Sequence, residues 1–404
     1  MVASPPARAR PPARRRRPPL SRLSLMVARL SLRVAAFAAL AAAAPPQPAA
    51  AAPSPQPTAA APSLVDVFVA GDDYNSTGVR QFRIPALVRT GRGTLLAFAE
   101  ARTDPATDCA YKWLVVRRSE DEGATWSAST DVAGREWAGW ATGNPQAVFH
   151  APSRRVVVTF GSKDLSAPGG YCEPGTVVYA VDDGGSDGAR WGPPRNISGD
   201  LGAAWATILP GPGASVVLSA APHAGRIVAT GVTDAYAQVI AYFSDDAGLS
   251  WRAGATPLHG GDESAPTELP DGRVYVTMRN DHLNASCACQ AYALSSDGGQ
   301  TFGPMLFDAT LVSPVCEASV AVLEGRLLFA NPASRSQRRD ITVRATAAGA
   351  ADPTAWAWSL LVAGGPTWGG YTSLASAGAG YGGLLLERND TAGNVISFAR
   401  FALP

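Results

Sequence analysis

The chain of 404 residues carries 34 Lys+Arg and 33 Asp+Glu, a formal net charge of +1. Nine of those Arg fall in residues 1–62, which hold no Lys and no acidic residue, so the rest of the chain sets 25 basic against 33 acidic residues, near −8. A domain of that sign lacks the positive field that binds phosphate backbones, which excludes a nucleic-acid binder.

Residues 1–62 are mostly Arg, Pro, Ala and Ser. They offer too little apolar surface to offset the entropy of ordering, and we expect them to be disordered. Within them Met26–Ala44 reads MVARLSLRVAAFAALAAAA, with Arg29 and Arg33 as a basic flank and a short apolar run over Val34–Ala44. That is the layout of a cleavable secretory signal covering about residues 26–50. The run is shorter than the roughly 20 apolar residues of a membrane helix, and an Arg-rich organelle transit peptide is the competing reading. Sequons at Asn75, Asn196, Asn284 and Asn389 favour the secretory route, ending in a lysosome or outside the cell. The five cysteines (Cys109, Cys172, Cys287, Cys289, Cys316) suit one or two disulfides in an oxidising compartment, with pairing not readable from spacing. They are too few and scattered for a structural zinc site, and His150, His223, His259 and His282 lack metal-ligand spacing. No cofactor and no metal is expected.

From Ser63 to Pro404 short apolar runs alternate with turn signals, which predicts an all-β domain over residues 63–404. An octet recurs: Ser119–Trp126 (SEDEGATW), Ser244–Trp251 (SDDAGLSW) and Ser295–Phe302 (SSDGGQTF), with a worn copy ending at Trp191 and a remnant at Thr354–Trp358. As a hairpin turn the octet makes sense: Asp accepts backbone hydrogen bonds, Gly takes positive φ, and the aromatic packs underneath. The terminal aromatics are 65, 60, 51 and 56 residues apart, the length of one four-stranded blade per repeat.

The same strand programme precedes each octet. Phe82–Val88, Thr94–Ala99 and Tyr111–Arg117 are predicted strands, repeated by Ser264–Leu269, Arg273–Met278 and Cys289–Leu294. Ser319–Leu323, Arg326–Ala330 and Ile341–Ala345 repeat it again, and Thr372–Ala377 with Gly383–Leu386 close the chain. Two further units over residues 145–191 and 205–251 complete a six-bladed β-propeller.

In such a meander the first strand's start, the second's end and the third's start share one edge, opposite the octets. Arg83, Arg102, Asp108, Glu263, Arg279, Arg338, Tyr371 and Glu387 all take those positions, so distant charges are expected to converge on the propeller axis. Any one of them alone reads as a surface ion pair worth about 0–1 kcal/mol or as packing; their shared place in the repeat argues for a site.

These residues sit in motifs that resemble the sialidases, most closely the lysosomal type of animals. The motifs are Phe82–Pro85 (FRIP), Thr94–Arg102 (TLLAFAEAR), Asp262-Glu263 with Glu268–Gly272 (ELPDG), Met278–Asn280, Asn331–Ala333, Arg338–Arg344, Gly370–Leu374 (GYTSL) and Leu386-Glu387. The resemblance spans about residues 65–400 and names the octets Asp boxes. It implies an exo-α-sialidase, a glycoside hydrolase removing terminal sialic acid from glycoproteins, glycolipids and oligosaccharides. Arg83, Arg279 and Arg338 are then the triad gripping the sugar carboxylate, as bidentate guanidinium forks can. Glu387 holds Arg83, Arg102 is an added substrate contact and Glu100 a wall residue. Asp108 is the acid/base, Tyr371 the nucleophile and Glu263 its base. A neutral phenol suits an anomeric carbon that bears a carboxylate, because an anionic nucleophile would be repelled; sialidases are the exception to the two-carboxylate rule. Two positions depart from the pattern: Asp340 stands where Asn is usual, leaving Arg338 and Arg339 as alternatives, and Asp104 rivals Asp108. A glycosidase for a related nonulosonic acid and a non-catalytic sialic-acid-binding propeller are the alternatives.

Overall fold

The structure, a computed structural model, describes residues 60–71, 78–166, 177–202, 205, 208–233, 238–281, 287–365, 368–390 and 393–404. The expected signal segment, Asn75, Cys172, His282 and Asn284 lie outside the described residues.

The described chain is strand and turn, with one four-residue helix at Ser198–Leu201. Gln81–Arg89, Leu95–Arg102 and Lys112–Ser119 form an antiparallel meander; Trp140–His150, Arg155–Asp164, Val177–Asp182 and Arg195–Asn196 form another. A single parallel pair, Lys112 with Ala141, joins the two into one nine-stranded sheet. A six-stranded sheet is built around Ile227–Thr233 and Gln238–Ser244. Two four-stranded sheets follow, Ser264–Glu268 to Leu306–Val312 and Ser319–Leu323 to Trp356–Ala363. The last comprises Gly369–Ser376, Tyr381–Asp390 and Gly393–Ala402, completed by Leu64–Val69 from the other end of the domain. Hydrogen bonding therefore gives five sheets where the repeat predicted six, because Lys112 and Ala141 pair across the junction of the first two meanders.

The first strands of successive meanders touch one another in a ring, so the sheets radiate from a common axis as a β-propeller. Apolar clusters fill the wedges between them, about 25 cal/mol for each Å² withdrawn from water. Phe68, Phe82, Trp113 and Phe398 share one wedge; Phe98, Val116, Val158 and Phe160 share the next. The repeat aromatics lie where the sequence put them, against these wedges: Trp126 edge-on to Phe398, Trp191 edge-on to Phe98, Trp251 against Tyr242 and Trp358 stacked on Phe401.

The three good octets fold alike. Ser119, Ser244 and Ser295 each donate to the octet Asp at 2.8 Å, and each Ser Oγ accepts the amide of Gly123, Gly248 or Gly299. Those glycines have φ between +84° and +93°, the left-handed region in which a Cβ is strained. The amides of Thr125, Ser250 and Thr301 return to the same carboxylates.

Polar side chains bridge the first strands across the axis. Leu87 N donates to Ser373 Oγ at 2.9 Å, Gln146 exchanges hydrogen bonds with Thr230, and Thr230 Oγ1 reaches Ser264 O at 2.8 Å. Above this plug, at the end away from the octets, the axis opens into a cavity of about 300 Å³.

Candidate active site

Three of the first strands slip register at the level of the cavity: between Arg83 and Ala86, between Gly143 and Gln146, and between Gly369 and Thr372. Such a bulge re-aims backbone groups at the cost of ladder bonds. In the first two, a proline (Pro85, Pro145) has no N–H to lose, and the residue before it (Ile84, φ 60°; Asn144, φ 53°) turns its amide inward. Ile84 N then donates to Glu387 Oε1 at 2.8 Å, and Asn144 N to Glu100 Oε1 at 2.8 Å. A fully buried carboxylate thus meets each bulge.

Around Glu387 the donors are complete. Arg83 Nε and Nη2 donate at 2.7 and 3.1 Å, and Tyr371 N donates at 3.0 Å. Burial pushes the Glu387 carboxyl up, but the Arg83 charge and these bonds hold it below the usual range. Glu100 is held low in the same way, its burial outweighed by Arg102 and Lys112, at 2.6 and 3.0 Å.

Seven expected residues line the cavity: Arg83, Arg102, Asp108, Glu263, Arg279, Arg338 and Tyr371. Tyr371 OH donates to Glu263 Oε1 at 2.5 Å, and Glu263 Oε2 accepts from Arg279 Nη1 at 3.0 Å. The guanidinium carbons of Arg83 and Arg338 stand 5.2 and 5.5 Å from the Tyr371 ring centroid. The phenol is therefore enclosed by three guanidinium groups. Burial, with Glu263 next, pushes its ionisation well above the usual range, so it is a neutral donor.

Arg338 rather than Arg339 faces the cavity; Arg339 is half exposed and pairs with Asp340 at 3.5 Å. Asp108 rather than Asp104 lines it, and Asp104 caps the amide of Ala106 in an exposed turn. One expectation shifts. Glu100 is not on the wall: at 0 % exposure it lies behind it, holding Arg102 and Lys112. Glu387 likewise stands behind Arg83, as expected of a residue that holds it. Asp108, expected as the acid/base, is ion-paired with Arg102 and has 64 % of its side chain exposed. Partial desolvation raises its carboxyl, but Arg102, then Lys112, bring it below the usual range.

Residues the sequence reading passed over complete the wall. Lys112 lines it beside Arg102, and Asp262 and Asp281 surround Arg279, whose Nη2 is 3.1 Å from Asp281. Asp262 accepts Glu263 N at 2.7 Å; burial and the neighbouring Glu263 charge raise its carboxyl. Asn144 was findable: Gly143-Asn144-Pro145 stands at the repeat position of Arg83-Ile84-Pro85. Of the cysteines, Cys287 and Cys289 are bonded to each other, Cys109 is oxidised, and Cys316 is a buried thiol beside Ile84 and Tyr371.

The chain is similar in sequence and in fold to proteins of known kind. Residues 142–384 match the family described as the BNR repeat-like domain. A sialidase of Micromonospora viridifaciens is 31% identical over 353 residues, covering 81% of this chain and 52% of that protein, so the chain spans about half its length. An exo-alpha-sialidase of Aspergillus fumigatus is 28% identical, covering 79% of this chain and 82% of its own. Among solved structures, the Hadza microbial sialidase Hz136 superposes with a TM-score of 0.69 at 23% identity, over 81% of this chain and 67% of that one, a likeness of fold. A match over more than half the chain and curated relatives of one kind have one meaning: this chain belongs to the sialidase family of BNR repeat-like proteins.

Proposed function

We propose that this protein is an exo-α-sialidase that hydrolyses terminal sialic acid from glycoproteins, glycolipids and oligosaccharides with retention, through a covalent glycosyl–tyrosine. The observation that carries the reading is the Tyr371–Glu263 hydrogen bond of 2.5 Å set among Arg83, Arg279 and Arg338. A binding protein needs the guanidinium groups alone; a phenol donating to a carboxylate is what nucleophilic attack needs. As Tyr371 Oη bonds to the anomeric carbon, its proton passes to Glu263 and the bond to the leaving oxygen breaks. Asp108 supplies the proton to that oxygen; it then removes one from the water that attacks the anomeric carbon, the bond to Tyr371 Oη breaks, and Glu263 returns its proton to the phenol oxygen. Its ion pair with Arg102 means that a proton must first be loaded from solvent, so turnover rises as pH falls toward the Asp108 range.

In the same reading the nine-stranded sheet is two blades, making six, and the octets are Asp boxes, supported by their common hydrogen-bond pattern. An N-terminal secretory signal would route the enzyme to the lysosome or outside the cell.

The test is release of a fluorophore from an α-sialoside between about pH 4 and 7. Wild type should turn over faster toward the acid end, and Tyr371→Phe should lose on the order of 10³-fold or more in kcat/KM. A wild type that binds sialic acid through Arg338 but does not release the fluorophore would make it a binding protein.

A further inference from the structure

Glu317 has no part in the chemistry above, yet it is 1 % exposed at the propeller axis. Its Oε2 accepts the amide of Thr372 at 2.9 Å, while Oε1 is enclosed with no hydrogen-bond partner. Glu387 accepts the preceding amide, that of Tyr371, at 3.0 Å. Two carboxyl groups, one from the segment that leads into Ser319–Leu323 and one from the strand Tyr381–Asp390, thus hold consecutive amides of the bulge that carries the tyrosine. The neighbours of Glu317 reach the same residues: Cys316 packs with Ile84 and Tyr371, and Val315 O accepts from Arg338 Nη2 at 3.5 Å. Val315 has a φ of 59°, a strained conformation for a β-branched residue that persists where surroundings over-determine it.

The two carboxyl groups are unequal. Glu387 receives two bonds from Arg83 and two amides; Glu317 receives one neutral amide. A buried anion with one neutral donor is poorly compensated, and the neutral acid is the favoured form. We propose that Glu317 is a positioning residue for Tyr371, gripping the Tyr371–Thr372 backbone as an uncharged carboxylic acid opposite the anionic Glu387. The groups facing it agree. Burial is the main cause that drives its carboxyl well above the usual range; the Thr372 amide opposes this, Glu263 and Glu387 reinforce it, and Arg338 opposes it. The buried Cys316 beside it is a thiol, and burial pushes that thiol up too, leaving it neutral. On this account the fold loses stability as pH rises and Glu317 ionises, because the buried anion has no compensating positive partner.

The inference rests on Tyr371 as nucleophile, and the experiment separates the two. Wild type, Glu317→Gln and Glu317→Ala are compared in kcat, KM and thermal melting between about pH 4 and 8. The Ala variant should lose on the order of tenfold to a hundredfold in kcat with KM within about threefold, as for a misplaced reacting group. The Gln variant, equal in shape and uncharged, should recover most of that turnover, and its melting temperature should gain on wild type as pH rises. Wild-type kcat in the Ala variant would end the positioning role. A Gln variant as slow as Ala, or melting in parallel with wild type across the range, would end the uncharged-acid role. If wild type releases no sialic acid, the proposed activity fails while the melting comparison still decides the charge state of Glu317.

Discussion

Arg83 is held by a carboxylate that itself depends on a missing side chain. A Cβ on Gly370 would overlap Glu387 Oε2 and lie 2.6 Å from the Trp368 ring. Glu387 could then no longer serve Arg83, Ile84 N and Tyr371 N together. Gly370→Ala is therefore expected to lower kcat/KM on the order of a hundredfold and to cost about 1–3 kcal/mol of stability, as overpacking does. Steady-state kinetics beside a thermal melt checks this; an Ala variant with wild-type kinetics would mean that Glu387 need not stay where it is. Gly143 plays the same part for Glu100 and Lys112, which occupy the space its Cβ would take. Residue type alone did not reveal this, because a glycine in a strand reads as a weak point until the atoms facing it are known.

At the scale of the element, octet and bulge divide the work between the two ends of the propeller. The octet is local: its bonds join residues at most four apart, so its role could be derived from the repeat. Asp297 accepts Ser295 Oγ, the amides of Gln300 and Thr301, and Thr301 Oγ1. Asp297→Ala should cost about 1–3 kcal/mol, read as a lower denaturation midpoint, and should leave kcat within about twofold because the octet lies at the far end of the axis from Tyr371. A fall in kcat at unchanged stability would contradict that separation. The bulges are not local in this sense. Ile84 N finds its acceptor 303 residues away in Glu387, which no pattern along the strand Gln81–Arg89 specifies.

For the whole molecule, closure comes from pairing Leu64–Val69 with Gly393–Ala402, reinforced by Arg388 on Asp66 at 2.6 Å. Two sets of carboxyl groups respond oppositely to pH, and Glu100, Asp108 and Glu387 at the site end belong with the lowered octet set. Asp246 and Asp297 feel burial first, but hydrogen bonds from Ser250 and Thr301 outweigh it and hold them below the usual range. Asp121 is brought to about 2 by Thr125. The stability these contribute is present above the unfolded carboxylate range and is lost as pH falls through their lowered values. Asp262 and Glu317 are raised, chiefly by burial, so what they contribute is full below the unfolded range and is lost as pH rises through their folded values. Stability should therefore peak in mild acid, about pH 4–6, measured as melting temperature against pH. A curve still rising from there to pH 8 would show that the raised pair does not govern the alkaline side.

The octets, their spacing and the alternation of short apolar runs were legible in the amino-acid order, because each rests on contacts within a hairpin. They gave the all-β propeller and the end at which Arg83, Arg102, Asp108, Glu263, Arg279, Arg338, Tyr371 and Glu387 meet; that Glu387 holds Arg83 followed from the resemblance to the sialidases. Tertiary structure decided what packs across the axis: Glu100 behind the wall, Asp108 paired with Arg102, three carboxylates around Arg279, and Glu317 beneath the tyrosine. Those outcomes depend on distances between residues that share no hairpin, and on which buried charges find partners. One chain's local pattern carries neither.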